Sequence, residues 1–270
     1  CWYNSFRVPL YNALDRAADL QSVHHVGVPR NNFLPCYHRL CLGAAGAGEI
    51  LRMPLKLDTY IITNADIVPG RDHIEGAREA LQGGADVIQF REKKMDTGEM
   101  IRVCGIIQNL CRQHGAIFIV NDRVDVALAM DADGVHVGQK DMPATIARRL
   151  IGPRKILGVS AGDEKKAKQA EADGADYVGT GRIFPAGVKK DIGVAKGVAV
   201  LREVSRAVQV PVVAIGGIDH GNATACIEAG AAGCAVITAV IGAPDVRQAA
   251  ADLAQVIREA KMRVGKRRPM

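Results

Sequence analysis

Short apolar runs alternate with amphipathic stretches along most of the chain, and the alternation sets in at Asp58. The runs fall at Thr59–Thr63, Asp86–Phe90, Ile117–Val120, Gly134–Val137, Ile156–Val159, Tyr177–Gly179, Val212–Ile215 and Gly233–Ile237, and each predicts a strand. Between them apolar residues return at helical spacing, as at Met100, Val103, Cys104 and Ile107, or at Val246, Ala249, Ala250, Leu253, Val256 and Ile257. Repeated strand–helix units of this kind build a parallel sheet, and eight of them are the count of a (β/α)8 TIM barrel.

An internal echo supports that count. Gly84-Ala85-Asp86, Asp131-Ala132-Asp133-Gly134, Gly174-Ala175-Asp176 and Gly230-Ala231-Ala232-Gly233 stand directly before the second, fourth, sixth and eighth runs. Glycine at a helix end followed by small residues suits a tight helix-to-strand turn, and recurrence in every second unit fits a barrel built by duplication. The alternative, a doubly wound open sheet, lacks its Gly-x-Gly-x-x-Gly after the first strand.

Residues 1–52 carry no sustained period, and Met53 directly precedes the first strand-like run, so translation from upstream of the natural start is one expectation for them. The predicted organisation is an irregular extension over 1–55, the barrel over 56–262 and a basic tail over 263–270. Within the extension, His24, His25, Cys36, His38 and Cys41 offer metal-ligand types without a recognised zinc spacing.

Composition changes this picture little. The net charge of +6 invites a nucleic-acid partner, but it sits at the ends: residues 58–260 hold 24 Lys and Arg against 26 Asp and Glu. With 4% aromatics there is neither a basic stripe nor a set of stacking residues, so nucleic acid is excluded. No apolar run is long enough to cross a bilayer and no secretory pattern opens the chain, from which a cytoplasmic setting without membrane attachment is expected. The seven cysteines form no Cys-x-x-Cys pair, and Cys104 and Cys111 lie a heptad apart on one apolar helix face, as reduced core thiols would. A homo-oligomer is compatible with the sequence.

In such a barrel chemistry belongs to the loops after the strands. After the second strand, alternation puts Gln89, Arg91 and Lys93 on one side, an amide, a guanidinium fork and an ammonium that suit a diphosphate. Asn121-Asp122 follows the third strand and Gly138-Gln139-Lys140-Asp141 the fourth. Asp122 and Asp141 are either two carboxylates sharing a Mg2+ or two helix N-caps. Ser160 ends the fifth strand, as a ligand or as a turn serine. His136, inside the fourth strand, reads as a satisfied interior residue. Gly216-Gly217-Ile218 and Ile237-Thr238 follow the seventh and eighth strands, where barrels often hold a phosphate on backbone N–H groups. A basic anion site thus faces a glycine-rich one across the mouth, which implies two phosphorylated small-molecule ligands.

Gln89-Phe90-Arg91-Glu92-Lys93, Val120-Asn121-Asp122, Val135-His136-Val137-Gly138-Gln139-x-Asp141, Gly158-Val159-Ser160 and Ile215-Gly216-Gly217-Ile218 occur in that order. Between about Leu57 and Ile257 the chain closely resembles the thiamine phosphate synthases. That resemblance implies a transferase that joins hydroxymethylpyrimidine diphosphate to hydroxyethylthiazole phosphate and releases diphosphate. It assigns Gln89, Arg91, Lys93, Asn121, Ser160 and Lys189 to the pyrimidine diphosphate, Asp122 and Asp141 to Mg2+, and Gly217, Ile237 and Thr238 to the thiazole phosphate. One segment departs: where the family usually has Pro-Thr-x-Thr-Lys, this chain has Pro185-Ala186-Gly187-Val188-Lys189, with Arg182 upstream as a candidate compensating contact. The rival readings are a thiazole tautomerase-like paralogue and a barrel that only binds thiamine precursors.

Overall fold

The structure, a computed structural model, describes residues 55–65, 68, 70–185 and 195–267. The histidine and cysteine cluster, Lys189 and the altered stretch from Ala186 to Val188 lie outside the described residues. Eight parallel strands close into a barrel in chain order: β1 (Thr59–Thr63), β2 (Val87–Phe90), β3 (Ile117–Asn121), β4 (Gly134–Val137), β5 (Ile156–Ser160), β6 (Tyr177–Gly181), β7 (Val212–Ile215) and β8 (Gly233–Val236), with β8 paired to β1. Around them lie α1 (His73–Gln82), α2 (Thr97–His114), α3 (Val124–Ala129), α4 (Ala144–Ile151), α5 (Glu164–Ala172), α6 (Gly197–Ala207), α7 (Ala223–Glu228), α8 (Thr238–Ile241) and α9 (Val246–Arg267).

Three boundaries move outward for one reason. Asn121, Ser160 and Gly181 are poor strand formers alone, yet each pairs with a neighbour, His136, Gly179 and Ile215 respectively, so the ladder carries β3, β5 and β6 past their apolar runs. The expected one helix per strand is exceeded after β8, where the short α8 precedes α9. The helix also runs beyond the boundary predicted at 262, to Arg267. Its last turns are rich in Lys and Arg, good helix formers that suit a helix C-terminus, and Val264 still packs on the core. Among the described residues no helix is long and apolar enough to cross a membrane.

The echo before the even strands has a physical meaning. Gly84, Gly174 and Gly230 take φ of 93°, 94° and 104°, and Asp131 takes 50°, a left-handed turn best suited to glycine. The aspartate that follows in three copies then accepts a backbone N–H from the preceding odd strand. Thr59 donates to Asp86 at 3.0 Å, Phe118 to Asp133 at 2.8 Å and Leu157 to Asp176 at 2.8 Å. Lys56 and Arg148 neutralise Asp86 and Asp176 at 2.6 and 2.5 Å. The duplicated signature is therefore a set of clasps at the N-terminal end of the barrel.

Strand alternation sorts the core into two. Tyr60, Ile62, Val87, Ile117, Ile119, Ile156, Tyr177, Val213 and Ala235 fill the barrel interior, while Ile61, Ile88, Phe118, Val135, Leu157 and Val178 point outward to the helices. Cys104 and Cys111 are buried on α2, and burial pushes the Cys104 thiol up to about 12. Residues of interior parity that follow the filled layers, such as Arg91, Asn121, Gly138 and Ser160, meet at the C-terminal mouth.

Candidate active site

A cavity of about 290 Å³ opens at that mouth. Gln89, Arg91, Lys93, Asn121, Asp122, Asp141, Ser160 and Ile237 line it, so residues from five strand ends that lie far apart in sequence share one space. Gly217, Thr238 and Arg182 are not in its wall. Arg182 lies against Gly216, and Lys189 is outside the described residues.

Asn121 is the last inward residue of β3, and Asp122 then takes a φ of 60°. Aspartate is among the few residues that tolerate this region, and the turn brings its carboxylate back over the cavity instead of outward. Neither aspartate is a helix cap. The N-cap of α3 is Arg123 and that of α4 is Pro143, and neither makes a side-chain capping bond. Asp141 instead accepts the Gly138 N–H at 2.8 Å, which folds the β4 loop so that its carboxyl faces Asp122.

Burial lifts the Asp122 carboxyl above its ordinary range; the Lys93 ammonium, which pairs with it, opposes this, and the facing Asp141 reinforces it. Asp141 moves the other way. Burial would raise it, but the hydrogen bond from Asp122, the Gly138 N–H and Lys93 together hold it lower. The opposite directions are those of two facing carboxyls that repel when both are ionised, a contact that a cation between them would relieve. Among the described residues no group of three or more His, Cys, Asp or Glu gathers, so the protein offers two carboxylates here. That donor set fits Mg2+, whose remaining positions go to phosphate oxygens and water.

Lys93 is aimed by its neighbour. Glu92 points away from the cavity and accepts the N–H groups of Lys93 and Lys94 at 2.6 and 2.7 Å and the His73 ring at 3.0 Å, and His73 also meets Thr63 at 2.8 Å. Burial would raise the Glu92 carboxyl, but these donors outweigh it and hold it at about 2. The alternation that put Gln89, Arg91 and Lys93 on one side in the sequence sends Glu92 the other way, into a buried clasp whose partners the sequence did not name.

Across the mouth the wall is apolar: Ile62, Val213, Ile215, Ala235 and Ile237. Gly216 and Gly217 have φ of 98° and 68°. A Cβ on Gly217 would stand 2.5 Å from the Phe184 carbonyl oxygen and 2.7 Å from that of Pro185, so its first duty is to let the β6 loop pass. The Phe184 N–H donates to the Gly216 carbonyl at 2.9 Å and fixes that contact.

Sequence reasoning missed Tyr60 and Tyr177, which line the cavity floor and bond to each other at 2.7 Å. His136, expected to be satisfied inside the barrel, bonds to Tyr177 and Ser160, each at 2.9 Å. Burial lowers its pKa to about 4, so the ring is neutral at physiological pH.

A family model described as thiamine monophosphate synthase matches residues 59–240. The chain is similar to the thiamine-phosphate synthase of Moorella thermoacetica, at 50% identity over 76% of this chain and 97% of that protein. It is similar to that of Methanocella arvoryzae at 48%, over 77% and 98%. Among solved structures it resembles the thiamine phosphate pyrophosphorylase from Pyrococcus furiosus, with a TM-score of 0.70 and 43% identity over 76% of this chain and 98% of that one. Fold, ordered motifs and relatives agree, and the chain belongs to the thiamine monophosphate synthase family.

Proposed function

We propose that this cavity joins hydroxymethylpyrimidine diphosphate to hydroxyethylthiazole phosphate. The observation that carries the reading is the convergence of Gln89, Arg91, Lys93, Asn121, Asp122, Asp141 and Ser160 on one side of a single cavity, facing an apolar wall. The diphosphate lies against Arg91 and Lys93, whose fixed cations meet the charge that grows on it as the carbon–oxygen bond breaks. Asp122 and Asp141 would hold Mg2+, which when bound would neutralise part of that charge. Gln89 and Asn121 orient the aminopyrimidine, whose ring electrons support the cation left on the methylene. The thiazole enters beside Ile215 and Ile237, with its phosphate toward Gly217 and Thr238, and its ring nitrogen attacks the methylene carbon. The apolar wall keeps water from capturing that carbon first. No protein nucleophile is required, since positioning supplies much of the rate. The reaction takes place in the cytoplasm.

The test supplies both substrates with and without Mg2+ and follows diphosphate and thiamine phosphate together. Equal amounts of both products, formed only with Mg2+, are expected. Binding without diphosphate release would instead favour a barrel that only captures precursors.

A further inference from the structure

A chain of hydrogen bonds crosses the barrel interior beneath the cavity. Gln89 Nε2 donates to the Tyr60 hydroxyl at 2.6 Å, the Tyr60 and Tyr177 hydroxyls meet at 2.7 Å, and Tyr177 meets His136 Nδ1 at 2.9 Å. His136 Nε2 meets Ser160 Oγ at 2.9 Å. The five residues come from β2, β1, β6, β4 and β5, and the two ends, Gln89 and Ser160, lie in the cavity wall. Space is cut for the middle links. A Cβ on Gly158 would stand 2.2 Å from Tyr177 Cζ and 2.5 Å from His136 Nδ1, and one on Gly179 would stand 3.0 Å from His136 Cε1.

Each tyrosine has one proton to give, and a neutral imidazole has one donor and one acceptor nitrogen. The chain therefore has two self-consistent directions. In the first, Gln89 gives to Tyr60, Tyr60 to Tyr177, Tyr177 to Nδ1, and Nε2–H to Ser160; the Gln89 carbonyl and the Ser160 proton are then left for the cavity. In the second every bond reverses, the Gln89 amide turns over, and the cavity meets an NH2 group and a serine lone pair. A mixture would set two donors or two acceptors against each other in a buried site, which is costly. Gln89, with its nitrogen 2.6 Å from the Tyr60 hydroxyl, stands as the first direction requires. A ligand whose amine faces Gln89 and whose diphosphate faces Ser160 meets an acceptor and a donor at those places in the first direction, and the reverse at both in the second.

We propose that Tyr60, Tyr177 and His136 are positioning residues that lock opposite walls of the cavity into one polarity, with Gln89 as acceptor and Ser160 as donor. This rests on Gln89 and Ser160 facing the pyrimidine diphosphate. Long-range 1H–15N spectra of the full protein, with the His136 signal assigned by its loss in His136→Asn, read the direction: the Nε2–H tautomer is expected in the wild type and a mixture of tautomers in Tyr177→Phe. In turnover, Tyr177→Phe is expected to lower kcat by about tenfold or more with the Michaelis constant for the thiazole phosphate little changed. Placed on Ser160→Ala, the same change is expected to do much less, because the donor it aims is gone. An Nδ1–H tautomer in the wild type, or an equal loss in both backgrounds, overturns the proposal while leaving the site assignment standing. Wild-type turnover by Ser160→Ala overturns the site assignment and the proposal together. If Tyr177→Phe fails to fold, Tyr60→Phe takes its place in the kinetic comparison, and the wild-type spectrum decides the direction unaided.

Discussion

The two ends of the barrel use aspartate in opposite ways. At the N-terminal end Asp86, Asp133 and Asp176 each clasp a backbone N–H of the neighbouring strand, and Asp86 and Asp176 also carry a cation. At the C-terminal end Asp122 and Asp141 face each other, and Lys93 pairs with the first of them. One end is satisfied and holds the sheet together. The other keeps two carboxylates turned toward an open cavity, where each can still take a further partner.

The largest expected effect lies at the mouth. Asp122→Ala and Asp141→Ala are each expected to lower turnover by about a hundredfold or more. Thermal melts should show the fold retained with a small change only, since each substitution removes a like-charge contact together with one favourable contact, that of Asp122 with Lys93 or of Asp141 with the Gly138 N–H. A large stability loss at unchanged turnover would erase the contrast between the ends. Next comes Asp176→Ala, which strands the Leu157 N–H and takes the carboxylate from Arg148, whose guanidinium keeps its carbonyl partners, and is expected to cost about 2–3 kcal/mol in denaturant unfolding, with activity per folded molecule retained.

Glu92 sharpens the contrast, because it stands at the mouth but is satisfied like the lower aspartates. Its folded pKa of about 2 lies below the ordinary 4.5, so the folded state favours the ionised form. Its stabilising contribution is complete above about pH 4.5 and is lost as pH falls toward 2, and it amounts to about 2–3 kcal/mol. Urea midpoints measured across that window should fall less steeply for Glu92→Gln than for the wild type. The smallest effect is expected from Asp133→Asn, which keeps an oxygen for the Phe118 N–H and is expected to cost about 1 kcal/mol by the same measurement.

The barrel was legible in the sequence because its strands are short β-branched runs in even spacing, and because the turns before the even strands need left-handed residues that only a few types supply. Strand ends were less legible. Asn121 and Ser160 join their strands through partners that are remote in sequence. Polar residues just past strands located the site, and alternation told Arg91 from Glu92. What alternation could not tell is which interior residues touch. Tyr60 and Tyr177 are 117 residues apart and read as ordinary core aromatics until barrel closure brings their hydroxyls together. The short α8 was hidden for another reason: its four residues are mostly apolar and look like the tail of β8.

The closing seam has a consequence for synthesis on the ribosome. The barrel shuts only where β8 meets β1, and Gly233 lies so close to Leu57 that a Cβ would stand 1.8 Å from the Leu57 carbonyl oxygen. The final helix then packs on α1, and its Lys261 reaches Asp58 at 2.7 Å. A nascent chain that has not yet released these residues carries two unpaired strand edges, one at β1 and one at β7. Such edges invite pairing with other chains, so the interval before β8 emerges is when this protein is most open to aggregation.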